Sequence, residues 1–142
     1  MSDSVTRFFS SLKDALIEGR IDYITRHCVY PIPVFMYGDL IVCGSAETFG
    51  ELLSQYREAV LAIGTVKIRP RLIAHGLPVR GYSNLWIEWD HLDAKGQCLR
   101  TNQIHYAVYQ GAHDLFPRVE LIELTVSAFP ELSYDLPISL SA

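Results

Sequence analysis

The chain has 142 residues, of which 49% are hydrophobic and 20% charged, and its net charge at pH 7 is −4. This length fits one domain with one core, and the composition excludes an intrinsically disordered chain. The sequence has no apolar run of the ~18 residues that a membrane-spanning helix needs, and its charge has the wrong sign for binding a phosphate backbone. We therefore expect neither a membrane nor a nucleic acid as a partner.

The cysteines and the first residues indicate the cellular compartment. Cys28, Cys43 and Cys98 are odd in number and widely spaced, which favours neither a disulfide framework nor a zinc site. The opening segment MSDSVTRFFSSLKD lacks the basic start and uninterrupted apolar run of a secretion signal. We expect reduced thiols and a cytoplasmic location.

Apolar residues at three- and four-residue spacings predict three helices in the first half of the chain. The first covers residues 4–19 and the second, a shorter one, covers residues 21–28. Pro31 and Pro33 end the second helix, because proline lacks the N–H that a helix interior needs. A serine can cap the third helix, which is expected over residues 45–64.

The remaining segments predict strands. Two apolar runs within residues 34–44 flank Gly38, which indicates a short hairpin. From Thr65 onward the apolar period changes to two, and turns separate the four expected long strands VKIRPRLIAH, SNLWIEWDHLD, CLRTNQIHYAVY and RVELIELTVSAF. Helices followed by such strands predict a single α+β domain over residues 1–142 with an antiparallel sheet. The tail from Pro130 onward is expected to lie along the surface.

The stretch ALIEGRIDYITRHCV, residues 15–29, resembles the helix-turn-helix opening of the nuclear-transport-factor-2-like superfamily, which includes ketosteroid isomerases, scytalone dehydratases and polyketide-cyclase-like proteins. Gly44 before a helix, and long strands with a turn at Lys95 and Gly96, extend the likeness over about residues 4–130. The resemblance implies a cone-shaped fold, in which a curved sheet wraps around the N-terminal helices and leaves an internal pocket. It also implies a homodimer that pairs through the outer face of the sheet.

The resemblance also implies site positions. Aligned through Gly19 and Gly96, the ketosteroid isomerase pattern places its general-base carboxylate at Met36, its phenolic donor at Leu12 and its protonated acid at His105. Met36 cannot abstract a proton and Leu12 cannot stabilise an enolate. The isomerase reaction is therefore disfavoured, and Met36 and Leu12 are expected as ligand contacts only.

A tight turn at residues 93–97 would set the register of the two central strands. One shared face would then pair Trp86 with His105, Glu88 with Gln103 and Asp90 with Thr101. The other face would pair Leu85, Ile87, Trp89 and His91 with Tyr106, Ile104, Asn102 and Arg100, respectively.

The sequence supports two interpretations of which face lines the pocket. The family register directs inward Trp86, Glu88, Gln103, His105 and Tyr109. Of these, Trp86, Gln103 and Tyr109 would contact the ligand, as would Tyr56 from the third helix. His105 and Glu88 would then form a catalytic acid and base that exchange protons near neutral pH. Apolarity favours the reverse, because Leu85, Ile87, Ile104 and Tyr106 are the more hydrophobic set. In that case Glu88 and His105 form an exposed polar pair, and Tyr56 also fits a plain core position.

No cofactor is implied. His75, His91 and His113 lack the spacing of metal ligands, and the sequence has no dinucleotide fingerprint, P-loop or nucleophile elbow. Lys67 and its basic neighbours alternate along a strand, as on a solvated strand face or a pocket mouth. Two functions stay open: a small-molecule-binding domain, extending to a cofactor-independent lyase, isomerase or cyclase on an apolar or aromatic substrate, and a non-catalytic dimeric binding or assembly module.

Overall fold

The computed structural model describes residues 3–130 and 132. Its helices are α1 (Asp3–Glu18), α2 (Ile21–Thr25) and α3 (Ala46–Ala62). Its strands are β1 (Ile32–Met36), β2 (Asp39–Cys43), β3 (Lys67–His75), β4 (Tyr82–Leu92), β5 (Cys98–Tyr109) and β6 (Arg118–Val126). Within these described residues, no helix has the length and apolarity needed to cross a bilayer. The predicted tail lies mostly outside the described residues.

The helix ends are held by specific hydrogen bonds. α1 stops at Gly19, whose φ of +79° breaks the helix, and Arg57 of α3 donates to the carbonyls of Leu16 and Ile17 at 2.9 Å each. These bonds satisfy carbonyls that a helix end leaves without an intrahelical donor. The predicted cap of α3 is confirmed, because Ser45 Oγ accepts from the Thr48 backbone N–H at 3.2 Å.

The second helix is shorter than predicted. It ends at Thr25, and the residues that follow pair with β6. The Val119 N–H donates to the His27 carbonyl at 2.8 Å, and the Val119 carbonyl accepts from the Val29 N–H at 2.9 Å. These contacts join residues distant in sequence, so the helical periodicity of this segment could not show them.

The six strands form one sheet in the order β2-β1-β6-β5-β4-β3. The four long strands are antiparallel to one another, as predicted, and the hairpin turns at Gly38. The sheet is nevertheless mixed, because β1 lies parallel to β6 through Val34 with Ile122 and Phe35 with Glu123. The hairpin therefore extends the main sheet.

Register shifts interrupt three of the antiparallel pairings, at residues 72–74 of β3, 91–92 of β4, and 103–104 and 107–108 of β5. Bulges of this kind bend a strand and increase its twist. The sheet consequently curves around the helices, and its concave face packs against a core that includes Phe8, Phe9, Leu12, Ala15 and Leu16 of α1. The α+β cone expected from the sequence is confirmed.

Candidate functional site

A cavity of about 150 Å³ lies between the helices and the concave face of the sheet. All three helices and strands β1, β3, β4, β5 and β6 contribute to its wall. Most of the wall is apolar and includes Leu16, Ile24, Val34, Phe49, Leu52, Ile68, Ile122 and Leu124. In the described part of the chain, no acidic side chain and no histidine lines it.

The predicted register of the central strands is confirmed, and of the two interpretations of the pocket wall the structure follows the one that apolarity favours and not the family register. Every cross-strand pair forms as expected, including Trp86 with His105 and Glu88 with Gln103. The cavity is lined instead by the opposite face, and none of Trp86, Glu88, Gln103, His105 and Tyr109 contributes to it. The physical reason is hydrophobic burial, which places the more apolar face against the helices.

His105 lies on the outer face of the sheet, in a polar cluster of its own. Its ring stacks on Trp86 with centroids 4.7 Å apart and planes 18° apart. Its Nδ1 lies 3.1 Å from Glu123 Oε1, and its Nε2 lies 2.8 Å from Asn84 Oδ1. The expected pair of His105 and Glu88 is therefore not formed.

Glu88 and Asp90 interact instead with the basic side chains of β3. Arg71 Nη1 lies 3.3 Å from Glu88 Oε1, and Arg69 and Arg71 both donate to Asp90, whose side chain is only 2% exposed. Thr101 Oγ1 donates to Asp90 Oδ1 at 2.8 Å. The basic cluster of this edge strand is thus exposed, as expected, and its two arginines also bind a buried carboxylate.

Three predicted ligand contacts do line the cavity. Leu12 of α1, Met36 of β1 and Tyr56 of α3 all contribute to its wall. Their positions follow the resemblance-based alignment for Leu12 and Met36, and the helical stripe for Tyr56. Their roles in binding remain predictions.

A buried polar network joins the cavity wall to the layer behind it. His91 is fully buried, and its Nδ1 lies 3.1 Å from the Arg100 carbonyl. A carbonyl only accepts, so Nδ1 carries the proton and Nε2 accepts from the Tyr56 hydroxyl, 2.5 Å away. Asn102 Nδ2 in turn donates to Tyr56 Oη at 3.1 Å. The strand pattern placed His91 opposite Arg100, but the partnership with Tyr56, which lies on a helix far away in sequence, was not predicted.

Burial keeps the side chains of Tyr56 and His91 uncharged. It lowers the pKa of His91 and raises the pKa of Tyr56, in each case because the charged form is poorly solvated. Phe129 covers both rings, with centroids 5.5 Å from Tyr56 and 5.0 Å from His91. The pair is therefore a neutral phenol bonded to a neutral imidazole.

Tyr106 and Trp89 form a second polar pair in the wall. Burial raises the pKa of Tyr106, and the nearby Trp89 indole N–H offsets this only in part. The indole Nε1 is buried, yet within the described residues no partner meets the distance and angle of a hydrogen bond to it. Both residues lay on the face that apolarity favoured.

The lysine and the cysteine in the cavity wall are an ion-paired ammonium group and a protonated thiol. Lys13 is the single charged side chain among the described wall residues, and its Nζ lies 2.8 Å from Asp14 Oδ1. Burial raises the pKa of the Cys28 thiol to about 12, and all three cysteines are free. The described residues include no group of three or more His, Cys, Asp or Glu side chains that could hold a metal ion.

Comparisons with known proteins identify the fold. No protein-family model matches the sequence, and no curated protein matches it. Among solved structures, Aln2 from a Streptomyces species is similar with a TM-score of 0.63 and 9% identity, over 92% of this chain and 91% of that one. An NTF-2 like protein of unknown function from Shewanella oneidensis has a TM-score of 0.62 and 12% identity, over 86% and 96%.

A third similar structure, from Catenulispora acidiphila in complex with S-DNPA, has a TM-score of 0.59 and 11% identity, over 84% of this chain and 89% of that one. The α+β cone is thus the architecture of a known class of proteins. The chain has the nuclear-transport-factor-2-like fold.

Proposed function

We propose that the chain binds a small, uncharged, apolar or aromatic molecule in the cavity between its helices and its sheet. The observation that carries this proposal is the cavity itself, about 150 Å³ with a largely apolar wall. An apolar cavity of roughly this volume accommodates a single aromatic ring. Ligand sites typically combine such walls with a few polar groups, which here are contributed by Tyr56, Trp89, Asn102 and Tyr106.

The charge of the wall favours a neutral ligand. Lys13 is paired with Asp14, and the described wall residues offer no other charged group to meet an ionised ligand. Burying an unpaired charge is costly. The complex of the Catenulispora acidiphila protein with S-DNPA supports the use of this fold for holding a small compound.

Binding of α-methylstyrene, a one-ring hydrocarbon, tests the proposal. Met36→Trp places a larger side chain in the cavity and should weaken binding at least tenfold, measured by isothermal titration calorimetry. Phe35→Trp is the matched control, because Phe35 is the preceding residue of β1 and is 37% exposed. His105→Ala on the outer face should also leave binding unchanged. Failure of the wild-type chain to bind, or equal loss in Met36→Trp and Phe35→Trp, would reject the cavity as the site.

We propose proton transfer through Tyr56 as a second candidate function, in the class of cofactor-independent isomerases, lyases and cyclases. The hydrogen bond from Tyr56 to His91 favours it. A bound molecule would give a proton to Tyr56 Oη while the hydroxyl proton moves to His91 Nε2. His91 would keep its Nδ1 proton on the Arg100 carbonyl, which would leave an imidazolium and the ligand anion.

Exchange of hydrogen for deuterium tests this candidate without a known substrate. In D₂O, wild-type protein should accelerate exchange of the methyl protons of acetophenone, followed by NMR. Tyr56→Phe should abolish the acceleration and retain α-methylstyrene binding, since the phenyl ring still fills its place. Exchange at the buffer rate with wild type, or equal rates with Tyr56→Phe, would exclude Tyr56 as the base.

A further inference from the structure

The pair of Trp89 and Tyr106 has one hydrogen-bond donor more than it can use. The indole N–H donates only, whereas the phenol hydroxyl offers one donor and accepts at its oxygen. If the indole donated to the Tyr106 oxygen, the hydroxyl proton would still need an acceptor. Within the described part of the chain, the indole nitrogen is buried and has no hydrogen-bond partner of normal geometry.

An unmet donor in this position is informative because of its burial. Trp89 and Tyr106 are each 7% exposed, and their rings are 6.4 Å apart at 77°. Leaving a buried donor without an acceptor costs about 1–3 kcal/mol. Such donors are therefore few in native proteins, and each calls for a structural or functional explanation. Both residues line the cavity, where a bound molecule could supply the acceptor.

Two nearby oxygen atoms in the wall already accept a hydrogen bond from another group. Asn102 Oδ1 accepts from the Ala128 N–H at 2.7 Å, and Tyr56 Oη accepts from Asn102 while donating to His91. Tyr56 and Asn102 thus each have hydrogen-bond partners, whereas the Trp89 indole N–H has none of normal geometry within the described residues. A ligand in the cavity can supply the missing acceptor.

We infer that the cavity recognises an aromatic carbonyl compound, an aryl ketone or aldehyde, whose oxygen accepts a hydrogen bond from Trp89 Nε1, with or without a second one from Tyr106 Oη. This inference rests on the proposed function, because it assigns the polar group of the same ligand. An oxygen acceptor satisfies the surplus donor, and a ring fills the apolar volume. A carbonyl oxygen has no proton, so it adds no further unmet donor.

Two probes of nearly the same shape separate the carbonyl from the ring. Acetophenone and α-methylstyrene differ in C=O against C=CH₂, and calorimetry gives the ratio of their affinities for each protein variant. In wild type, acetophenone should bind about three- to tenfold tighter than α-methylstyrene, the effect of one net hydrogen bond. Trp89→Phe should reduce that ratio toward one, whatever the change does to the cavity volume, whereas Tyr106→Phe should leave acetophenone the tighter-binding probe.

The two tryptophans provide a direct readout in the wild-type protein. With ¹⁵N-labelled chain, the indole N–H signal of Trp89 should shift downfield on saturation with acetophenone, and Trp86 on the outer face is the internal control. Trp86→Phe assigns the two signals.

The outcomes distinguish recognition of a carbonyl group from binding of any aromatic ligand in the cavity. Tighter acetophenone binding with a selective Trp89 shift supports the inference. Equal affinities, or a Trp89 signal that responds alike to both probes, would overturn the carbonyl assignment and leave binding in the cavity intact. Binding of neither probe would overturn both.

Discussion

The buried carboxylate of Asp90 should make a large contribution to stability, and Asp90→Asn removes its charge with little change of volume. Asp90 Oδ2 accepts from Arg69 Nη2 at 2.8 Å and from Arg71 Nε at 2.6 Å, while Oδ1 accepts from Arg71 Nη2 at 2.9 Å and from Thr101 Oγ1. An asparagine would have to turn its amide NH₂ toward one of these sets of donors. The better orientation places it at the Oδ1 position, where only one arginine N–H opposes it and Thr101 can reverse its hydroxyl.

The expected cost follows from the exposure of each partner. Hydrogen bonds to charged groups contribute about 1.5–3 kcal/mol, and breaking a buried ion pair costs more than that when both charges are buried. Here Arg69 and Arg71 are 54% and 44% exposed, so water can solvate them after the substitution. We therefore expect Asp90→Asn to lower the free energy of unfolding by about 2–3 kcal/mol.

Glu88→Gln is the matched control on the same strand. Glu88 is 28% exposed and has a single 3.3 Å contact with Arg71, so its loss should cost less than about 1 kcal/mol. Urea unfolding at pH 7, followed by circular dichroism, measures both variants. An Asp90→Asn cost no larger than that of Glu88→Gln would refute the reasoning.

The pH dependence supplies an independent check. Hydrogen bonds from Arg71, and then from Arg69 and Thr101, hold the pKa of Asp90 well below its ordinary value. The unfolded aspartate titrates near pH 4, so the contribution of Asp90 is complete above that pH and is lost as the pH falls toward the folded pKa. The stability difference between wild type and Asp90→Asn should therefore shrink from about pH 5 to pH 3. A difference that stays constant or grows over this range would contradict the assigned sign.

Three further expectations concern the backbone, the assembly and metals. Gly81 has φ +87°, and a Cβ there would lie 2.8 Å from a Tyr109 ring carbon, whereas Gly96 has φ +79° and open space around it. Gly81→Ala should therefore lower the free energy of unfolding by about 2–3 kcal/mol, and the control Gly96→Ala by about 1–2 kcal/mol. Equal urea midpoints for the two variants would argue against this. We propose that two copies pair through the outer sheet face around Trp86 and His105. Sedimentation equilibrium at micromolar concentration should then give a mass of twice 16.1 kDa, and Trp86→Glu should convert the dimer to a monomer. A monomeric wild-type protein would count against this pairing. EDTA should leave the melting temperature unchanged, since the described residues hold no metal-ligating cluster; a drop of several degrees would reveal one.

The order of elements and the register of the central strands could be predicted from local sequence. Asp93 explains the register, because its Oδ1 accepts from the Lys95 and Gln97 N–H groups at 2.9 Å and holds the turn closed. Once a turn is tight, strand pairing on both sides follows from it. Helix ends were equally local at Gly19 and Ser45, where backbone conformation and a capping hydroxyl act within a few residues.

The face that lines the cavity was decided by tertiary packing. Alternation along a strand defines two faces and leaves open which one the helices cover, and the apolar face was selected because its burial removes more hydrocarbon from water. The outward Asp90 is buried as well, because Arg69 and Arg71 of the neighbouring strand fold over it. Likewise, the hydrogen bond between Tyr56 and His91 joins residues 35 positions apart. The sequence by itself determined the elements and their pairing, whereas the polar groups of the site exist only where the packed helices meet the curved sheet.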